Sequence, residues 1–469
     1  MRSFEILILL ANIPPLVWPI LFAGKKPRWI IFCSVAALLF VIVHLLFEGY
    51  RWQMAPAYFL TGLAFLLNLR SDTKVSRRWP TIAASALGLL LLGASSVLAA
   101  LLPVPSLPAL TGQFSVGTVS YHWIDQTREE TFTEDPADRR EIMVQFWYPA
   151  EVKPGAKTGL YLPDIDVEGP ALAKTLHMPS FLTSHIGLVH SRSVPGAAVS
   201  KAQTRYPVLI FSHGLGGVRM QNTYQVEELA SHGYIVVGID HSYDCSVTVF
   251  PDGRVLLSRA KTPQEASDEE RERLRVKWVE IRAADARFVL NELEKINSGD
   301  PGGLFVGRLD LERVGIFGHS LGGSTTGLAC KEDSRFKAGL DMDGTLRGDV
   351  VEAGINQPFM FITGEAGWGP EKERERYKRN LNSVYSRLRN GGYRLMIRGT
   401  GHYNFSDLPI MTPLHSLTSG TGSIDGERGL RIVTDYTLAF FDRYLYDRHT
   451  TLLDGPSSNY PEVLFEAAK

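Results

Sequence analysis

The run Val314-Gly315-Ile316-Phe317-Gly318-His319-Ser320-Leu321-Gly322 permits few folds. Four apolar-leaning residues enter a Gly-x-Ser-x-Gly turn, and a small-residue stretch, Gly323 to Ala329, follows it. That order reads as strand, sharp turn, helix. A serine in such a turn holds its hydroxyl above the end of a parallel sheet, and glycines at the flanking positions let strand and helix approach each other. The expectation is an α/β-hydrolase fold, a mostly parallel sheet flanked by helices, with Ser320 as a nucleophile.

Serine is a weak nucleophile at neutral pH. It needs a base, a carboxylate to orient that base, and donors for the developing oxyanion, and in this fold the partners follow in the order serine, acid, histidine. Of the three histidines after Ser320, only His402 follows an apolar stretch (Tyr393 to Ile397) and a glycine turn (Gly399-Thr400-Gly401); His415 and His449 have no such strand before them. Three carboxylates compete for the acid. Asp341 and Asp343 end the apolar segment Phe336 to Leu340, and Glu365 ends Pro358 to Gly364. Any of them is well placed at the C-terminal end of a parallel strand. The apolar strand Val208-Leu209-Ile210-Phe211 runs into Ser212-His213-Gly214-Leu215-Gly216-Gly217, so the backbone N–H groups of Leu215 and Leu321 are the expected oxyanion donors.

Four blocks in this order resemble the platelet-activating-factor acetylhydrolase family. They are Phe211 to Gly216, Leu229-Ala230-Ser231-His232-Gly233-Tyr234-Ile235-Val236, Gly318 to Gly323, and Arg398-Gly399-Thr400-Gly401-His402-Tyr403-Asn404-Phe405-Ser406-Asp407, and the resemblance extends over residues 110 to 445. It implies a calcium-independent, lipase-like serine esterase that needs no cofactor, with Ser320 as nucleophile, His402 as base, and Leu215 and Leu321 as donors. It also chooses among the acids. The family's aspartate follows the strand after the nucleophile helix, and an ungapped alignment from Ser320 carries it to Asp343. The implied substrates are short or oxidised acyl esters of phospholipids. Animal members carry an aromatic and apolar run after the acid, whereas this chain has Gly344-Thr345-Leu346-Arg347, a departure that bears on the acyl pocket and on the acetyl preference the resemblance implies. A broader carboxylesterase, of dienelactone or polyester type, would use the same residues. A non-catalytic scaffold with a hydrolase shell is disfavoured, because every triad position is filled.

The first hundred residues have another character. Phe4 to Gly24, Trp29 to Phe47, Met54 to Leu69 and Pro80 to Leu102 are apolar, and about 20 residues suffice to cross a bilayer. Four stretches predict a polytopic anchor over residues 1–104 rather than a cleaved leader, with the catalytic domain over 105–469. Met54 to Leu69 is the shortest. Lys25, Lys26 and Arg28 lie between the first and second stretches, and Arg70, Lys74, Arg77 and Arg78 between the third and fourth. The positive-inside rule then predicts an extracytoplasmic catalytic domain. Glu5 and His44 are expected at the membrane interface. Pro103, Pro105 and Pro108 predict a stiff connector.

Strands are expected over Phe114 to Trp123 and Glu141 to Tyr148, joined by a polar loop, Gln126 to Arg140. The excursion Leu160 to Val194 is expected to cover the site. His177, His185 and His190 within it lack metal-ligand spacing, and no metal is predicted. A helix beginning in the charged run Asp268 to Arg275 and another over Thr434 to Tyr446 complete the reading. A net charge of −1 excludes a nucleic-acid surface driven by basicity. Cys33, Cys245 and Cys330 form no disulfide framework, and buried free thiols are expected at the last two.

Overall fold

The computed structural model describes residues 1–22, 27–69, 79–263, 265–299, 303–413, 415 and 420–468. Its contacts divide the chain into two units: Met1–Pro105 with Met411–Leu414, and Ser106–Ile410 with His415–Lys469.

In the first unit the apolar stretches form α1 (Ser3–Leu21), α2 (Arg28–Phe47), α3 (Ala55–Leu69) and α4 (Trp79–Leu101). Helices α1, α2 and α4 are long and apolar enough to cross a bilayer. Helix α3 has 15 residues, about 22 Å at 1.5 Å per residue, against a hydrocarbon core of about 30 Å. Polar side chains pair inside the bundle: Asn12 Nδ2 donates to Thr61 Oγ1 (2.7 Å) and Asn68 Nδ2 to Ser34 Oγ (2.8 Å). Glu5, near the start of α1, and His44, near the end of α2, are fully buried within the bundle. Glu5 accepts from Arg51 (2.6 Å), and His44 bonds Glu48 (2.8 Å) and Tyr58 (2.7 Å), so each polar group finds its partner within the bundle. Of the basic residues used for orientation, only Arg28 is among the described residues; Lys25, Lys26, Arg70, Lys74, Arg77 and Arg78 lie outside them.

The second unit is built on one sheet. Its main strands are β1 (Ser115–Glu129), β2 (Arg139–Glu151), β3 (Tyr206–Ser212), β4 (Ile235–Asp240), β5 (Leu309–His319), β6 (Phe336–Met342), β7 (Phe359–Gly364), β8 (Gly392–Ile397) and β9 (Val463–Ala467). Across the sheet they run β9-β8-β7-β6-β5-β3-β4-β2-β1. The six from β8 to β4 are parallel, and β9 at one side and β2 with β1 at the other are antiparallel. Strands β3 and β4 are buried on both faces, as continuous apolar runs in a parallel sheet require. Helices α5 (Ile165–Thr175), α6 (Thr223–Ser231), α7 (Asp268–Gly299), α8 (Leu321–Glu332), α9 (Glu371–Tyr385) and α10 (Gly426–Leu445) accompany them. All the parallel strands end on the side where the Ser320 turn, the Gly214 turn and the His402 loop emerge. That is the carboxyl edge at which such sheets place ligands.

Two expectations need correction. The loop Gln126 to Arg140 is shorter than its polarity suggests, since β1 continues to Glu129. Its charges are absorbed by pairing: Arg140 Nη2 donates to Asp285 Oδ2 (2.6 Å) and Nη1 to Glu130 Oε2 (2.9 Å), while Arg128 Nη2 donates to Asp285 Oδ1 (2.8 Å). Helix α10 begins eight residues before Thr434, at Gly426, where Asp425 accepts from the N–H of Arg428 (2.9 Å) as an N-cap. Cys245 and Cys330 are buried free thiols.

Asp285 is fully buried, and the positive charges of Arg140 and Arg128, with a hydrogen bond to His241, overcome the cost of burial and hold its carboxyl well below the usual range. Replacing it would leave Arg140 buried without its main counter-charge. Asp285→Ala is therefore expected to lower the unfolding free energy by about 3–5 kcal/mol, measurable by urea denaturation; a loss under about 1 kcal/mol would contradict this account.

Candidate active site

Ser320 stands between β5 and α8 with φ 57° and ψ −118°. A non-glycine residue held at positive φ costs about 1–3 kcal/mol, and the neighbouring glycines show what enforces it. A Cβ on Gly322 would lie 2.0 Å from the Ser212 carbonyl oxygen, one on Gly318 2.4 Å from the Gly322 backbone, and one on Gly323 1.8 Å from Asp341 Oδ1. The Ser320 N–H donates to the Met342 carbonyl (2.8 Å), which ties the turn to the end of β6.

His402, in the loop after β8, reaches the serine: its Nε2 lies 2.9 Å from Ser320 Oγ. Its Nδ1 lies 2.7 Å from Asp343 Oδ2. Asp343, immediately beyond β6, also accepts from the Gly364 N–H (3.0 Å). Burial opposes its charge, but the hydrogen bond and charge of His402 and the Gly364 donor outweigh that and keep its carboxyl below the ordinary range. The three candidates thus form one hydrogen-bonded chain, with Asp343 accepting from His402 Nδ1 and His402 Nε2 facing the Ser320 hydroxyl.

The other two carboxylates are engaged elsewhere. Asp341 accepts from the Gly344 N–H (2.8 Å), and burial, with the Asp343 charge beside it, pushes its pKa well above the usual range. Its carboxyl packs against Gly323. Glu365 is exposed and accepts from the Gly399 N–H (2.8 Å). His449 is exposed and pairs with Asp454 (3.1 Å).

Leu215 and Leu321 line the same cleft as Ser320 and His402, a cavity of about 1000 Å³. Neither backbone N–H has an acceptor among the described residues. The excursion Leu160 to Val194 folds into α5 and a 3₁₀ segment, Ser180–Leu188, and is not the cover expected: none of its residues lines the cleft. It abuts the Gly214–Gly217 turn from the side, where a Cβ on Gly216 would lie 3.1 Å from Thr175 Cγ2. One wall of the cleft is ionic. Arg347 is nearly buried and pairs with Glu272 and Glu373, and Arg275 pairs with Glu373 (2.8 Å).

Three contributors escaped the sequence reading. The Trp368 ring stacks on His402 with centroids 5.0 Å apart and planes 11° from parallel. His319 Nε2 donates to the His402 carbonyl (2.9 Å), while its Nδ1 accepts from Gln221 Nε2 (2.9 Å). Gln221 Oε1 in turn accepts from the Gly214 N–H (3.1 Å), linking the His402 loop to the Gly214 turn. Nothing in spacing marks Trp368 or Gln221; His319 was visible only as the variable position of the Gly-x-Ser-x-Gly turn. A second Ser-His-Asp series, Ser212 Oγ to His241 Nε2 (2.9 Å) and His241 Nδ1 to Asp285 (2.8 Å), is fully buried and outside the Ser320 cleft, so it packs strand ends rather than meeting a substrate there.

The pattern of the family described as platelet-activating factor acetylhydrolase, isoform II, matches residues 101–457. The chain belongs to that family. A platelet-activating factor acetylhydrolase of Cavia porcellus is 28% identical over 330 residues, 61% of this chain and 70% of that protein. A probable 1-alkyl-2-acetylglycerophosphocholine esterase of Arthroderma benhamiae is 28% identical over 278 residues, 55% of this chain and 66% of that protein. A solved ferulic acid esterase from Streptomyces cinnamoneus superposes with a TM-score of 0.63 at 27% identity, covering 77% of this chain and 99% of that one. This member of the acetylhydrolase family is accordingly an α/β-hydrolase and a carboxylic ester hydrolase of the acetylhydrolase type.

His319 is buried, and burial followed by the charge of His402 lowers its pKa to about 3; burial and the Arg282 charge lower that of His241 to about 4. Both rings are neutral in the folded state and take up protons on unfolding below the ordinary histidine value of about 6.5. Their contribution is fully present above that value and is lost as pH falls toward 4. Unfolding free energy measured by urea should therefore decline from pH 6.5 to 4, and less steeply in His319→Gln. Equal slopes in the two proteins would contradict the buried neutral ring.

Proposed function

We propose that this chain is a membrane-anchored serine esterase in which Ser320, His402 and Asp343 carry the reaction. The carrying observation is the continuous chain from Asp343 Oδ2 through His402 to Ser320 Oγ, at 2.7 and 2.9 Å. His402 Nε2 takes the hydroxyl proton as Ser320 Oγ attacks the ester carbonyl, and Asp343 orients the imidazole and balances its charge. The Leu215 and Leu321 N–H groups receive the negative charge on the carbonyl oxygen. Collapse of the tetrahedral species expels the alcohol, which takes the proton from His402. Water, activated by the same histidine, then releases the acid and restores Ser320.

Short or oxidised acyl esters of glycerophospholipids are the proposed substrates. Support comes from the two relatives whose names specify acetyl esters of this class, and from the apolar helices of residues 1–104, since an anchor in the same chain raises the effective concentration of lipid esters around the domain of residues 105–469. A broader carboxylesterase is the second reading, favoured by the ionic wall at Arg347 and by the ferulic acid esterase neighbour. A panel of p-nitrophenyl esters and sn-2 phospholipids of graded acyl length separates them. The first reading predicts turnover highest at about two to four acyl carbons, with cleavage of sn-2-acetyl phospholipid; rapid ester hydrolysis without phospholipid cleavage establishes the second.

Asp343→Asn is expected to lower kcat by about ten-thousand-fold, because an amide holds the wrong imidazole tautomer, whereas Glu365→Gln, at an exposed side chain, should cost less than about tenfold. The reverse ranking would move the acid to Glu365. For the anchor, the proposed orientation is extracytoplasmic, so protease added to intact spheroplasts should digest the domain after Pro108; protection until lysis would invert the topology.

A further inference from the structure

The peptide joining Gly214 to Leu215 is planar and trans, so its C=O and N–H point in opposite directions. Whatever holds the Gly214 oxygen therefore aims the Leu215 N–H. Three donors converge on that oxygen: His213 Nδ1 (2.6 Å), the Gly217 N–H (3.0 Å) and Arg282 Nη2 (3.3 Å). Arg282 Nη1 also donates to the carbonyl of His213, the peptide before. The guanidinium is fully buried on α7 and gripped by Asp244, Nε to Oδ2 at 2.8 Å and Nη2 to Oδ1 at 2.5 Å. The backbone of Asp244 accepts from the Gly216 N–H (3.3 Å), and the Ser246 N–H donates to the Gly217 carbonyl (3.0 Å). The Gly214 N–H goes to Gln221. From Gly214 to Gly217, the Leu215 N–H is thus the amide without an acceptor among the described residues, and the turn is tied from behind at each side of it.

We propose that Arg282, fixed by Asp244 and assisted by His213, is a positioning residue that aims the Leu215 N–H into the cleft. It never meets the substrate. Its two ends hold successive carbonyls of the turn, a task suited to a planar five-donor fork and not to the single ammonium of lysine. The inference rests on the reading of Leu215 as an oxyanion donor.

The test uses the full chain, with active sites counted by a fluorophosphonate so that misfolded protein does not enter kcat. Arg282→Lys keeps the charge opposite Asp244 and loses the fork; His213→Phe keeps a ring and loses the Nδ1 donor. Each should lower kcat per active site by about 10- to 100-fold, somewhat less than deleting an oxyanion donor outright, with KM within about twofold. Inhibition by a trifluoromethyl ketone, whose serine adduct bears the oxyanion, should weaken in the same proportion as kcat/KM. A purely structural role would lower the melting temperature while leaving kcat per active site and ketone affinity within about threefold of the parent, and that result overturns the proposal. If Arg282→Lys does not fold, His213→Phe decides by the same criteria. A parent protein that leaves Ser320 unlabelled would overturn the underlying reading; a labelled parent with unaltered variants overturns this inference alone.

Discussion

Almost everything in the site follows from how closely α8 is pressed against β3 and β5. With 2.0 Å between a notional Cβ on Gly322 and the Ser212 oxygen, the turn tolerates no side chain there, and Ser320 is left at φ 57°. That conformation lifts Oγ out of the sheet and exposes the first N–H of α8 beside it. The same turn is anchored by the Ser320 N–H to the Met342 carbonyl, so β6, which Asp343 follows, is held beside Ser320. Strain at one residue is thereby sustained by packing of many, as an over-determined site requires.

Two aspartates two residues apart have opposite roles because their surroundings differ. Asp343 gains a partner in His402 and a donor in Gly364, which hold its pKa below the ordinary range; Asp341 has burial, one backbone donor and the Asp343 charge beside it, and its pKa is raised. Burial alone would have neutralised both. The buried histidines His319 and His241, with pKa values lowered to about 3 and 4, serve as hydrogen-bond connectors. Around the site, the buried charges of Arg282–Asp244 and Arg347–Glu373 are held in ion pairs that carry their own compensation.

The parallel sheet, the elbow and the loop bearing His402 were legible because each depends on a local pattern: an apolar run, then glycine, then a functional side chain. Between Asp341, Asp343 and Glu365, local pattern was silent, since all three end strands; family resemblance pointed to Asp343, and hydrogen bonding alone distinguishes them in space. Trp368, Gln221 and Arg282 were illegible for another reason. Their partners lie 34, 98 and 69 positions away in the chain, and only tertiary packing joins them. The cover expected over Leu160 to Val194 failed because amphipathic spacing marks a face that packs without saying what it packs against. The partners of Glu5 and His44, Arg51 and Tyr58, were illegible because, again, only packing joins them.

The central claim is that Ser320 is the nucleophile of an ester hydrolase, and a covalent readout addresses it most directly. The full chain is treated with a fluorophosphonate, digested and analysed by mass spectrometry, beside Ser320→Ala. The account predicts one modified peptide, carrying Ser320, together with loss of ester hydrolysis of about a million-fold in the alanine variant. Labelling at a different serine, or a folded Ser320→Ala protein that retains turnover, would contradict it.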